Sequence, residues 1–283
     1  MKYLLLLPLL SLIYVAQPTL RQPDPSAEEW ISLFNGEDLT GWHPKVKGFR
    51  PGDNYANTFQ VEDSLLSVVY DEYESFNRTF AHLISEDKYS YYKLRAVYRF
   101  VGEQVEGGPG WAIRNNGLML HSQPAETMEV DQDFPVSIEV QLLGGNGTEE
   151  RSTLNLCTPG THVVKDDELF TRHCTSSSSR TFHGDQWVTA EVLVYGDSMF
   201  IHIVGGDTVM RYYHPQIGGR GLPEEYSERE GELLSEGHIA IQGESHPTQF
   251  RSIELLNLKG CMDPQAKNYK SYYVEADNDA CVY

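Results

Sequence analysis

Apolar positions along this chain recur in short runs, not at helical spacing. Phe59-Gln60-Val61 is followed by Leu65-Leu66-Ser67-Val68-Val69, and Tyr92 to Phe100, Trp187 to Tyr195, Met199 to Val204 and His238 to Gln242 are further segments of the same kind. Runs of this length, enriched in β-branched and aromatic residues and punctuated by Gly, Asp and Asn, predict strands. With almost no sustained helical periodicity, residues 30–258 are expected to form an all-β sandwich or barrel. Tyr195-Gly196-Asp197-Ser198 reads as a hairpin turn, and the 17 Tyr fit a strand-rich chain.

Two of the expected strands carry polar groups where a core-facing strand would be apolar. Alternation puts Asn115, Gly117, Met119 and His121 on one face, and Glu139 with Gln141 on one face of a second strand. An amide, an imidazole and a carboxylate then meet on one surface. A desolvated carboxylate costs several kcal/mol unless it is paired or hydrogen-bonded. A satisfied polar network or a solvated outer face gives the same pattern.

The ends read differently. Met1-Lys2-Tyr3 and the apolar run Leu4 to Ala16 predict a secretory signal over 1–16, too short for a bilayer span of roughly 20 residues. Residues 17–29, rich in Pro, Gln and Ser, predict a linker, and 259–283 a Cys/Asp-rich tail too short for its own hydrophobic core. No later segment is apolar enough to span a membrane, so a secreted, periplasmic or cell-surface protein is expected. The formal charge of −19 disfavours nucleic acid as a partner. Exported location and an even count of Cys favour disulfides, and the short intervening loops favour Cys157 with Cys174 and Cys261 with Cys281. Asp263, Asn268, Asp277 and Asp279 in the tail are oxygen donors of the kind calcium takes, but without EF-hand spacing they read as turn residues.

Four blocks in order carry a family resemblance: Leu33-Phe34-Asn35-Gly36-Glu37-Asp38-Leu39-Thr40-Gly41-Trp42, Asn115-Asn116-Gly117-Leu118-Met119-Leu120, Ile138-Glu139-Val140-Gln141-Leu142, and Gly237 to Gln242 with Phe250-Arg251-Ser252-Ile253. Over residues 30–258 the chain resembles the 3-keto-disaccharide hydrolase family. The resemblance implies a concanavalin-like jelly roll of two antiparallel sheets, one forming a concave groove for an oligosaccharide or glycoside. It also implies cleavage of glycosides oxidised at C3. His121 stands where many relatives carry Arg, Ser252 replaces a usual Asn, and the insert from Cys157 to Cys174 is an addition at one end of the groove.

A C3 ketone acidifies the C2 proton, so a base can remove it, expel the C1 substituent and let water add back. Such chemistry needs a base, an enolate stabiliser and a proton for the leaving group. Glu139 and His121 are the candidates for base and acid, or else for ligands of a divalent metal ion. Asn115, Gln141 and Gln242 are candidate hydroxyl binders, Arg114 and Arg251 candidate enolate stabilisers or structural partners, Trp111 and Trp42 candidate stacking platforms or core, and His246 a candidate to reach the groove. His43, His82, His183, His202 and His214 read as surface or satisfied core histidines. A non-catalytic carbohydrate-binding module using the same groove is the alternative function.

Overall fold

The computed structural model describes residues 24–283, so the expected signal segment and most of the expected linker lie outside the described residues. Alternation dominates. In the strand Tyr91–Phe100, Tyr92, Leu94, Ala96, Tyr98 and Phe100 are buried while Lys93, Arg95 and Arg99 lie outside. The same pattern in its neighbours builds a ten-stranded sheet centred on Tyr91–Phe100, Val188–Tyr195 and Thr248–Asn257. A second sheet of seven strands runs in the order Cys174–Thr175, Asn155–Cys157, Ile138–Leu143, Asn115–Ser122, Gly237–Gly243, Ala81–Tyr89 and Trp42–Val46. Every named strand pair in the two sheets is antiparallel, and among the described residues the only helical turns are short 3-10 segments. The sandwich expected from the sequence is the fold.

One apolar core lies between the sheets. Leu83, Leu118, Val140, Leu156 and Ile241 come from the seven-stranded sheet, and meet Leu94, Val192, Phe200, Phe250 and Leu255 from the other. Polar groups in this layer are paired. His202 bonds the Leu154 carbonyl through Nδ1 and the Tyr212 hydroxyl through Nε2, both at 2.9 Å, which makes it a satisfied core histidine. Trp42 is buried in the same core, with Nε1 donating to the Leu33 carbonyl at 2.8 Å, and is no sugar platform.

The strand Asn115–Ser122 does not alternate to its end. His121 has φ of +48°, and the register against Gly237–Gly243 slips between the His238–Ser122 and Ala240–Met119 pairs. This is a bulge, which places one extra residue on the bulged strand and turns the following side chains over. Gly237 crosses the bulge so closely that a Cβ there would sit 2.4–2.7 Å from the His121 backbone. Only glycine fits.

Both expected disulfides form. Cys157 and Cys174 lie directly opposite each other on neighbouring strands, and Cys261 joins Cys281 in the tail. In the tail, Asp263 accepts from the Gln265 amide at 2.9 Å and the Tyr283 hydroxyl at 2.7 Å, while Asn268 Oδ1 accepts from the Val282 amide at 2.9 Å. These oxygens shape turns. The end of the expected linker is not free: Ser271 N–H donates to the Pro25 carbonyl at 2.9 Å and Lys270 pairs with Glu29. The tail therefore clasps the entry to the sandwich, and its Val274 N–H donates to the Leu258 carbonyl at 2.8 Å.

A chain ending at Lys259 is predicted to keep a strand-dominated far-ultraviolet circular dichroism spectrum, because no core residue between the sheets comes from the tail. Losing about 1 kcal/mol of docking would lower Tm by roughly 2–4 °C at this chain length. Collapse of the strand signal would show instead that the tail is part of the folding unit.

Candidate active site

Opposed residues of antiparallel strands share a face, so the pairings define two rows across the outer, concave side of the seven-stranded sheet. One row runs His43, Ile84, Ala240, Met119, Glu139, Cys157 and Cys174. In the next row Lys45 opposes His82 and His82 opposes Gln242, and beyond them Gly117 opposes Gln141 and Gln141 opposes Asn155. Ile84, Met119 and Ala240 are covered by Ala125 and Met128, forming a second small apolar cluster. The segment that supplies this cover is tied down by Gln123, whose Oε1 accepts from Gln132 Nε2 at 2.8 Å and from the Val136 amide at 3.2 Å. The uncovered part of the concave face is a groove of about 1070 Å³ whose lining includes Glu139, Gln141, Leu143 and Glu244.

Gly117 is the open square in this floor. A Cβ there would lie 2.8 Å from Glu139 Oε1, 2.9 Å from its Cγ and 3.0 Å from Gln242 Oε1. The missing side chain lets a carboxyl and an amide converge from the two flanking strands. Glu139 is 5% exposed, Glu244 is 3% and Gln242 is fully buried. Glu244 Oε2 and both amide atoms of Gln242 have no protein hydrogen-bond partner, nor does Asn115 Oδ1. Of these residues Glu244 lines the groove with Glu139, while Gln242 and Asn115 lie buried on the same face of the sheet, and unpaired buried polar atoms are expensive in an empty protein.

Burial pushes the Glu139 carboxyl up to about 8. Glu244 is also raised well above the ordinary carboxylate range, first by burial and then by the charge of Glu139. Gln141 is engaged differently, its Oε1 accepting from Asn155 Nδ2 at 3.2 Å. Trp111 forms part of the wall. It is 54% exposed and stacks on Phe80 with ring centroids 6.3 Å apart. Arg151 holds that wall in place by donating to the carbonyls of Trp111 at 2.9 Å and Gly144 at 3.1 Å. The Cys157–Cys174 bridge closes the end of the floor next to Glu139, on the same face.

Of the residues expected at the site, the structure brings Glu139, Gln141, Gln242, Asn115 and Trp111 to this face or its wall. It removes His121. The bulge turns that imidazole into the space between the sheets, where it packs edge-on to Phe200 at 5.1 Å and Tyr92 at 6.2 Å, with Nε2 against the Gly196 carbonyl at 3.1 Å. Burial holds it neutral, with its pKa lowered to about 4. Glu139 and His121 are thus on opposite faces and form neither an acid–base pair nor a pair of metal ligands.

Arg251 lies on the other sheet, over the Trp187 ring at 4.9 Å. Arg114 is committed to the Gly184 carbonyl at 2.9 Å and Asp185 at 2.8 Å. His246 packs edge-on to Phe100 at 5.8 Å and does not line the groove. Among the described residues no group of three or more His, Cys, Asp or Glu is arranged as a metal site.

Glu244 was not anticipated. It follows Gln242 by two residues, so alternation carried one step past the Gly237–Gly243 strand would have found it. His82 is buried under Phe134, at a centroid distance of 5.8 Å. Its Nε2 has no partner, so it is neither a surface nor a satisfied core histidine.

Residues 29–256 match the 3-keto-alpha-glucoside-1,2-lyase-like domain family. Among solved structures, the chain is similar to a Parabacteroides distasonis protein provisionally described as a glycosyl hydrolase, at 18% identity over 81% of this chain and 94% of that one, TM-score 0.48. A second protein of that organism with the same description is 15% identical over 81% of this chain and 100% of its own, TM-score 0.49. A Bacillus subtilis protein with a galectin-like fold is 10% identical over 81% of this chain and 94% of that one, TM-score 0.42. No curated protein matches the chain.

The raised carboxyls predict a pH dependence of stability. The folded protein holds protons that the unfolded chain releases above the ordinary glutamate value of 4.5, so stability is full below that value and is lost as pH rises through about 8. Replacing Glu139 with Gln removes part of this loss. Thermal unfolding should show Glu139→Gln more stable than the parent at alkaline pH, by on the order of 1–2 kcal/mol, with the two converging in acid. Equal stabilities across the range would mean that Glu139 is not desolvated.

Proposed function

Because the chain belongs to the 3-keto-alpha-glucoside-1,2-lyase-like family, we propose that it is an exported enzyme cleaving glycosides whose sugar carries a ketone at C3, with Glu139 as the base. The observation that carries this reading is a nearly buried carboxyl, raised to about 8, lying across Gly117 beside an unpaired Gln242 on the floor of an open groove. A base with a pKa near the working pH combines an adequate ionised fraction with a strong pull on the proton. A carboxyl at its ordinary value would be a weaker base.

In this reading Glu139 takes the C2 proton, which the adjacent ketone has acidified. The electron pair moves to the C3 oxygen as an enolate, then returns to form the C1–C2 double bond as the C1–oxygen bond breaks. Water adds at C1 and a proton returns to C2, leaving the free keto sugar. Gln242 presents an amide N–H to the developing negative oxygen and an amide oxygen to a neighbouring hydroxyl. Asn115 and Gln141 read further hydroxyls, and Trp111 offers a ring face to a pyranose. The two disulfides fit an oxidising compartment.

Glu139→Gln keeps the shape and removes the base, and should lower turnover of a 3-keto-disaccharide by about 100- to 10,000-fold while the protein remains folded. In the parent enzyme, kcat/KM should rise with pH as Glu139 ionises, with the inflection near 8. Release of free sugar measures both. A Glu139→Gln protein with near-parental turnover removes Glu139 from the chemistry. Glycan binding without cleavage of any keto-glycoside by the parent protein establishes the carbohydrate-binding module instead.

A further inference from the structure

Elimination also needs a proton at the departing oxygen, and the bulge has taken away the imidazole that the sequence offered for it. We infer that Glu244 is the acid that protonates the leaving group; the inference rests on the 3-keto-glycoside reading. Glu244 enters the groove one alternation step beyond Gln242, just past the end of the strand next to the one that carries Gly117. Its backbone is pinned on both sides. The Cβ position of Gly243 faces the core, 3.1 Å from the Tyr70 hydroxyl, and the Ser245 amide donates to that hydroxyl at 2.8 Å. Ser245 is held in turn by Gln104 Nε2, which donates to its hydroxyl at 2.8 Å, and its carbonyl accepts from the Val105 amide at 3.0 Å. These contacts fix where the carboxyl projects, yet Oε2 itself has no protein partner.

Gln242 supplies the second, independent sign that a ligand belongs here. It is fully buried, its Oε1 and the Glu139 carboxyl converging on the Gly117 position, with neither amide atom satisfied. Burial keeps both carboxyls protonated into the neutral range, and once Glu139 ionises its charge holds the proton on Glu244. That is the state elimination requires, with one member ready to accept and the other ready to donate.

The cycle balances on these two groups. Glu139 takes the C2 proton as Glu244 gives its own to the leaving oxygen and the C1–oxygen bond breaks. The alcohol departs. Glu244, now a carboxylate, removes a proton from water as that water bonds to C1, and Glu139 returns its proton to C2. Both residues are reset, and the net reaction is glycoside plus water to keto sugar plus alcohol. Of the other imidazoles near the groove, His82 lies beneath Phe134 and His246 packs against Phe100, whereas His173 lines the rim and is the rival donor.

The test follows alcohol release in a single turnover, before water addition, from two 3-keto-glucosides, one releasing p-nitrophenol, which leaves without help, and one releasing methanol, which needs a proton. Glu244→Gln should lose about 100-fold or more on the methyl glycoside and under about fivefold on the p-nitrophenyl glycoside, the signature of lost acid assistance. Glu139→Gln should lose heavily on both. Glu244→Asp, which restores a carboxyl, should recover part of the methyl glycoside rate. Equal losses of Glu244→Gln on the two substrates, or the leaving-group signature appearing in His173→Gln instead, overturns the assignment. Cleavage of neither substrate by the parent protein overturns the underlying reading, and is distinct from both of those results.

Discussion

A carboxyl group held out of water on the floor of a sheet is the constraint around which this structure is arranged. Glu139 sits where its charged form is penalised, and the penalty is endured because the neighbouring strand contributes no side chain at Gly117. Add a methyl group at that point and Glu139 and Gln242 are pushed apart. The concave face must therefore be smooth at one position and polar around it, while the opposite face of the same strands remains continuously apolar to seal the core. Leu118 and Val140 face inward beside residues that face the groove, and their burial is part of what offsets the cost of the unpaired groups outside.

The ten-stranded sheet serves this arrangement without touching it. Its apolar face backs the floor, and its outer face spends its charges on local partners, such as Arg95 over Trp30 at 4.1 Å and Arg251 over Trp187 at 4.9 Å. On the groove side the cover over Ile84, Met119 and Ala240 divides the concave face into a sealed half and an open half, and Glu139 lies in the row that crosses from one to the other. Desolvation of Glu139 follows from that position. The disulfide at the other end of the row and the Arg151 contacts to the Trp111 wall limit how far the open half can relax. A site of this kind is less stable than an apolar floor would be, and its rigidity comes from the sheet and not from its own hydrogen bonds.

The most instructive departure from simple alternation is His121. Strict period-two reading puts it beside Glu139, and one bulged residue puts it on the other side of the sheet. Nothing in the side-chain pattern of Asn115 to Ser122 announces the bulge, because it is forced by the neighbouring strand, where Gly237 admits the His121 backbone at a distance no other residue tolerates. The same alternation, carried past a strand end where it is ordinarily abandoned, leads to Glu244. Local pattern was reliable within a strand and failed where a partner strand changed the register.

Residue pattern alone determined that residues 30–258 make an all-β sandwich or barrel, that the four Cys pair locally, and that Glu139, Gln141 and Asn115 give two strands a polar surface. These follow from short-range physics: side-chain period, turn chemistry and loop closure act over a few residues and are written directly in them. Tertiary structure decided which polar groups share that surface. The inward turn of His121, the commitment of Arg114 to Asp185, the place of Arg251 on the far sheet and the arrival of Glu139 and Glu244 in one groove all depend on register between strands distant in sequence. A shift of one residue in that register moves a side chain through the sheet, and only the packed partner strand sets it.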